Sequence, residues 1–361
     1  MTVRTLHIDV GESGFLARVA APVLAAVFEK DVEDGGAVIE GRGTLTARPM
    51  SQLRDALSAV GVDCTDRMPL RLGGRIRPGT VEIDGAGGSQ AVSGLMFALP
   101  LLDAPSEIIV DNPVSIPYIY LTKEVLEKYG VDVAIINDNK RLKIFIPAPQ
   151  EYVRKPEEAM GHDGDWSAAA VFMCAAAVCG RCSVCGLQPD SLQADRSVLE
   201  ALRKAGALFR EKEGVFTVAR SPLHGFDFDC TQCPDLMPVL AAFAVYCEGV
   251  SRLNGMGRLS GKESDRAAAI EKMLAKARIS HKREGDVLVV EGMSLAHRLL
   301  EGRMPADGVY ESLADHRMVM AEMLLGLPCH AVVPEEYAPL SKSMPCFRKL
   351  WDSVVLTENR F

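Results

Sequence analysis

Ser260-Gly-Lys-Glu-Ser-Asp-Arg266-Ala-Ala-Ala-Ile270-Glu-Lys-Met-Leu274-Ala-Lys-Ala-Arg278-Ile-Ser-His281 reads as a helix that stops and hands over to a strand. Residues 267–277 are strong helix formers, with Ile270, Met273 and Leu274 at helical spacing. After Arg278 the pattern alternates. At the front, Lys262 and Arg266 lie four apart and would share a helix face, with Glu263 one step round. Two cations in a first turn oppose the positive end of the helix dipole. Two readings answer that conflict. In one, Ser260 caps the helix with Glu263 as its capping-box partner and the other charges are solvated. In the other, an anion sits on the free N–H groups between Lys262 and Arg266.

Working outward, the same helix-then-strand pattern recurs. It appears at residues 53–61 before Val62-Asp-Cys64, at 123–130 before Val131-Asp-Val133, and at 196–206 before Ala207-Leu-Phe209. The helix ends lie about 70 residues apart, which marks an internal repeat. Hairpin-like segments follow, such as Lys143-Ile-Phe-Ile146, Val215-Phe-Thr-Val218 and Val287-Leu-Val-Val290. A second kind of helix is apolar nearly all round, at residues 13–28, 89–102, 166–180, 235–248 and 316–326. Helices without a polar face belong inside a domain. The unit therefore has one buried helix, one surface helix and several strands, and copies of it predict an α+β domain with helices in the centre. A Pro-rich passage from Pro147 to Pro156 predicts a boundary between domains at 1–162 and 163–361. Two buried helices precede it and three follow, so the first domain is expected to lack one unit at its N-terminus.

A chain of 361 residues suits two domains, and 48% hydrophobic with 24% charged residues is the composition of a soluble globular protein. A net charge of -8 argues against nucleic acid as a general partner but not against small anions. The first ten residues lack a signal-peptide core, and the apolar window 168–178 is too short to span a bilayer, so a cytoplasmic protein with no membrane partner is expected. Among ten cysteines, Cys179, Cys182 and Cys185 have CxxC spacing, as do Cys230 and Cys233. Arg181 to Gly186 reads as a strand, on which Cys182 and Cys185 would face opposite ways, so reduced thiols are favoured over a metal site. Gly255-Met-Gly257 lacks a GxGxxG frame, and the seven His show neither a triad order nor metal spacing.

Polar and cationic clusters gather at predicted helix entrances: Gly11-Glu-Ser-Gly14, Arg48-Pro49, Ser89-Gln90, Ser115-Ile-Pro-Tyr118 and Asp315-His-Arg317. If these face one cleft, they suit a ligand with several anionic groups. Gly88-Ser-Gln-Ala-Val-Ser93, Ser115-Ile-Pro-Tyr118, Gly164-Asp-Trp-Ser167, Cys233-Pro-Asp235, Lys262-Glu-Ser-Asp-Arg266 and Asp315-His-Arg317 occur in one order. Together they resemble the 5-enolpyruvylshikimate-3-phosphate synthase (3-phosphoshikimate 1-carboxyvinyltransferase) family, from about Gly11 to the C-terminus.

The resemblance implies a two-domain enolpyruvyl transferase fold of βαβαββ units, here with the first domain incomplete. It implies transfer of the enolpyruvyl group of phosphoenolpyruvate to the 5-hydroxyl of shikimate 3-phosphate, with no cofactor and no metal, by a monomer. Carried over by motif, Gly14, Arg48, Gln90, Arg266, Arg317 and Lys342 would hold phosphoenolpyruvate. Ser89, Gln90, Ser115, Tyr118, Asp235 and Lys262 would hold shikimate 3-phosphate. Asp235 would be the base on the 5-hydroxyl and Glu263 the source of the methylene proton, with Lys342 as its partner. The sequence departs from the family at its start, where a Lys-Ser-x-Ser-Asn-Arg segment is expected, and at Glu12, Phe15, Gly88 and Arg258. These departures keep open a non-catalytic homologue that binds anions or a partner. An enolpyruvyl transferase acting on a UDP-sugar fits the motifs less well.

Overall fold

The computed structural model describes residues 5–27, 36–138, 140–153, 163–260, 263–328 and 332–358. They fall into two compact units, Met1–Gly161 and His162–Phe361.

The first unit runs β1 (Leu6–Asp9), α1 (Gly14–Val27), β2 (Gly36–Glu40), α2 (Ser51–Ala59), β3 (Asp63–Cys64) and β4 (Leu70–Gly73). The pattern then repeats as β5 (Thr80–Asp84), α3 (Gln90–Ala98), β6 (Ser106–Asp111), α4 (Ile116–Lys128), β7 (Ala134–Asn137) and β8 (Arg141–Ile146). The sheets have the orders β1-β2-β4-β3 and β5-β6-β8-β7, each with its first pair parallel and the others antiparallel. A parallel pair needs a crossover, and α1 and α3 supply it. These two helices pack against each other. Their crossing is close because Gly94 has no side chain: a Cβ there would run into the Arg18 carbonyl and lie 2.8 Å from the Pro22 ring.

The second unit begins with α5 (Trp166–Cys179), β9 (Arg181–Val184), α6 (Val198–Lys204), β10 (Leu208–Lys212) and β11 (Val215–Ala219). It continues as β12 (Asp227–Asp229), α7 (Met237–Ala244), β13 (Gly249–Asn254), α8 (Arg266–Lys276), β14 (His281–Glu284) and β15 (Val287–Gly292). It ends with α9 (Leu295–Glu301), β16 (Gly308–Tyr310), α10 (His316–Gly326), β17 (Val332–Pro334) and α11 (Phe347–Glu358). The sheet β12-β13-β15-β14 repeats the order seen twice in the first unit, and β10-β11-β9 matches three strands of it. The apolar helices α5, α7 and α10 pack together in the middle.

The repeat is visible down to single hydrogen bonds. Val62, Val131, Ala207 and Ile279 each donate a backbone N–H to a leucine carbonyl five residues back: Leu57, Leu126, Leu202 and Leu274. That is the Schellman closure, which needs a left-handed residue just before the donor. Gly61, Gly130 and Gly206 fill that position at φ of 87°, 80° and 81°, and Arg278 does so at 58°. At Val131 the closure displaces the expected strand, which starts at Ala134 instead.

α4 begins at Ile116, the helix entrance expected at Ser115-Ile-Pro-Tyr118, where Pro117 in the first turn lacks an N–H that the first turn leaves unbonded anyway. The start of α8 is capped differently from expectation. α8 begins at Arg266 with Asp265 as its cap, accepting from the Ala268 N–H, so neither Ser260 nor Glu263 caps it. Lys262 lies outside the described residues. Cys182 is on β9, whereas Cys185 follows it and is exposed.

Candidate active site

Each βαβαββ unit ends its two parallel strands side by side, so the helix after each strand starts from the same edge of the sheet. Asp9 and Glu40, the ends of β1 and β2, are register partners; Gly14 and Arg48 follow them. Asp84 and Asp111 end β5 and β6 as partners, and Ser89, Gln90, Ser115 and Tyr118 follow. In the second unit, Asp229 and Asn254 end β12 and β13, leading to Asp235 and Arg266. Tyr310 and Pro334 end β16 and β17, leading to Arg317 and Lys342. The carboxyl edge of parallel strands is where open α/β sheets bind ligands. The described candidate residues therefore sit where this topology puts sites.

In the first unit, the entrance of α1 carries two guanidinium groups. A Cβ at Gly14 would lie 2.8 Å from both Arg18 Nη1 and Arg48 Nη1. Arg18 donates to the Gly14 carbonyl at 3.1 Å, to Gln90 Oε1 at 3.2 Å and to the Pro49 carbonyl at 3.1 Å. Gly14, Gln90 and the Pro49 carbonyl next to Arg48 are thus brought together by Arg18, which sequence reasoning missed; its signal was the spacing of four from Gly14 on one helix face. Ser89 and Ser115 are buried at the entrances of α3 and α4. Ser115 takes a left-handed φ of 55°, and the Tyr118 N–H donates to its carbonyl at 3.1 Å.

In the second unit, the Arg266 side chain is 1% exposed and is bonded by three carboxylates. Nε donates to Asp315 Oδ2 at 2.7 Å, Nη1 to Asp235 Oδ1 at 2.8 Å, and Nη2 to Glu263 Oε2 at 2.6 Å and Asp315 Oδ1 at 3.2 Å. Asp315, fully buried, also caps α10 through the Arg317 N–H and accepts from the Ser264 hydroxyl at 3.0 Å. The other oxygen of Asp235 faces Arg317 Nη2 at 3.7 Å. Lys342 Nζ donates to the Ala314 carbonyl at 3.1 Å, one residue before Asp315. Asp235, Glu263, Arg266, Arg317 and Lys342 therefore form one cluster at the entrances of α7, α8 and α10.

The electrostatics follow from burial. Burial works against the charge on Arg266, but Asp315, Asp235 and Glu263 more than offset it and hold its pKa above the ordinary value. Arg317 is raised in the same way by Asp235, Asp195 and Asp165 against its burial. His316 is pushed down to about 4, by burial first and then by Arg317, so it is neutral at pH 7. Both guanidinium groups are thus held charged by carboxylates of the protein itself.

The family model for EPSP synthase (3-phosphoshikimate 1-carboxyvinyltransferase) matches residues 2–351. A 3-phosphoshikimate 1-carboxyvinyltransferase of Clostridium novyi is 30% identical, over 98% of this chain and 78% of its own length. One from Aeropyrum pernix is 34% identical, over 93% and 74%. Among solved structures, EPSP synthase from Acinetobacter baumannii superposes with a TM-score of 0.73 at 21% identity, covering 98% of this chain and 80% of that one. The enolpyruvyl transferase NikO from Streptomyces tendae does so with a TM-score of 0.65 at 17% identity, covering 91% and 73%. The fold is thus the α+β enolpyruvyl transferase fold, and the chain belongs to the EPSP synthase (3-phosphoshikimate 1-carboxyvinyltransferase) family.

Proposed function

We propose that this chain transfers the enolpyruvyl group of phosphoenolpyruvate to the 5-hydroxyl of shikimate 3-phosphate, releasing phosphate, a step of the shikimate pathway that leads to aromatic amino acids. The observation that carries the residue assignment is the carboxylate Asp235 placed between two buried guanidinium groups, Arg266 and Arg317. Asp235 takes the proton of the 5-hydroxyl, and that oxygen bonds to C2 of phosphoenolpyruvate while Glu263 gives a proton to C3. The tetrahedral intermediate then loses a C3 proton and breaks its C2–O bond to phosphate, which regenerates the double bond in the product. Arg266 and Arg317, with Lys342, offset the charge that gathers on phosphate and carboxylate. In the first unit, Arg48, Gln90 and the Gly14 backbone take phosphoenolpyruvate, and Ser89, Gln90, Ser115 and Tyr118 take shikimate 3-phosphate. Lys262 is assigned to shikimate 3-phosphate by its motif alone.

Phosphoenolpyruvate brings its own leaving group, so this reading needs no metal or organic cofactor. The same reading makes the protein a cytoplasmic monomer; none of the described helices is long and apolar enough to cross a membrane. The test is phosphate release from phosphoenolpyruvate that requires shikimate 3-phosphate. Asp235→Ala and Glu263→Ala should each lower kcat at least a hundredfold, the lower end for a lost acid or base being about that size. Full activity in either variant removes its role, and silence of the parent chain removes the reading.

A further inference from the structure

Arg266 is assigned above to an anion, yet its side chain is 1% exposed, too little for an anion to touch it while its three carboxylates stay in place. The guanidinium makes four hydrogen bonds, all to carboxylates, out of the five that it can donate. Nη2 alone bonds two of them, Glu263 Oε2 at 2.6 Å and Asp315 Oδ1 at 3.2 Å. The carboxylates differ in depth. The Asp315 side chain is 0% exposed, while Glu263 and Asp235, at 18% and 27%, cover the guanidinium on its solvent side. Both aspartates are tied a second time: Asp315 caps α10 through the Arg317 N–H and accepts from the Ser264 hydroxyl, and Asp235 faces Arg317 Nη2 at 3.7 Å. Glu263 stands ahead of Asp265, the cap of α8, and has one more rotatable bond than an aspartate, so it can swing off without moving the helix.

An incoming anion and Glu263 therefore compete for one donor. We propose that Glu263 is an internal counter-ion that covers the anion site of Arg266 and is displaced from Nη2 when phosphoenolpyruvate docks there. Asp315 stays on Nε, so the guanidinium keeps its place and a buried partner while one anion is exchanged for another. The exchange carries a penalty, because a charge-assisted bond must break before the ligand makes its own, and the measured affinity is lowered by that amount. It also fits Glu263 to the step assigned to it: a carboxylate paired with a guanidinium has no proton to give to C3. The proposal rests on assigning phosphoenolpyruvate to Arg266.

Equilibrium dialysis with labelled phosphoenolpyruvate reads the competition without needing turnover. Glu263→Gln keeps the shape of the side chain but gives Nη2 a neutral acceptor, and Kd should fall about tenfold, the size of one hydrogen bond to a charged group. Glu263→Asp keeps the charge but is one methylene shorter, so it loses the 2.6 Å bond, and Kd should fall there too. A general charge effect would tighten binding in Glu263→Gln and leave Glu263→Asp at the parent value, and that result overturns the proposal. So does an unchanged Kd in both variants, or binding by none of the three proteins. Arg266 keeps Asp315 and Asp235 in either variant; if Glu263→Gln nevertheless does not fold, the Kd of Glu263→Asp decides alone. Tighter binding in both variants of a chain that releases no phosphate leaves the proposal standing and removes the enolpyruvyl-transfer reading. Turnover by the parent with an unmoved Kd in Glu263→Asp does the reverse.

Discussion

At Arg266 one side chain serves three carboxylates at once, spreading four hydrogen bonds over its planar fork. A lysine offers a point charge where the guanidinium offers a planar fork. Arg266→Lys should fold yet lose at least about a hundredfold in kcat/KM, as expected when a supporting contact shifts by roughly an ångström. Arg266→Ala leaves the buried Asp315 without its cation and should cost about 3–5 kcal/mol in chemical denaturation. That partner set was not legible in the sequence. Lys-Glu-Ser-Asp-Arg advertised Arg266, but local rules supplied a capping box, because Asp235 and Asp315 come from 31 and 49 residues away. Glu322 is a second residue that periodicity concealed within an apolar helix. It is fully buried, neither oxygen has a hydrogen-bond partner among the described residues, and burial first, then Glu335, push it up to about 8. The folded state therefore keeps a proton that the unfolded chain releases near 4.5. Stability from this group is fullest below that value, falls as pH rises by up to about 1.4 kcal/mol per unit, and levels off above about 8. Denaturation at pH 5.5, 7 and 8.5 should show that slope, and Glu322→Leu should flatten it; matching slopes would mean that Glu322 is ionised in the fold.

Among elements, the helix ends were the most readable feature, because Schellman closure depends on neighbours in the chain. Gly61, Gly130 and Gly206 announce it, and Arg278 completes the series against the usual steric preference. A left-handed non-glycine residue costs about 1–2 kcal/mol, part of which glycine returns through the freer unfolded chain. Arg278→Gly should therefore stabilise the protein by about 0.5–1 kcal/mol, seen as a higher denaturation midpoint with an unchanged slope. The crossing of α1 and α3 makes the opposite demand. Gly94→Ala would press a methyl into the Arg18 carbonyl and should cost about 1–3 kcal/mol. Since Arg18 holds Gln90, the same change should raise the KM for phosphoenolpyruvate. That contact was not legible: Gly94 looks like any small residue in an apolar helix until its neighbour across the crossing is known.

For the whole molecule, repetition made the fold readable. A helix apolar all round, a helix with one apolar face and a hairpin, recurring about every 70 residues, leave few ways to bury the apolar faces other than copies of one βαβαββ unit. The strand order shared by three four-stranded sheets is that repetition in space. Because parallel strands in each unit end together, one topological rule gathers residues from distant parts of the sequence at helix entrances, which explains why motif residues found one by one form clusters.

Asp315 ties α10 to α8 with a single carboxylate, capping one helix and anchoring the first residue of the other. The two entrances are therefore not free to evolve separately. An insertion or deletion in residues 305–314 that shifted the start of α10 by even one residue would withdraw the anchor from Arg266. Length variation among relatives should then avoid this connection and collect at the opposite edge of the sheets, where helices hand back to strands, such as the connections between α3 and β6 or α7 and β13.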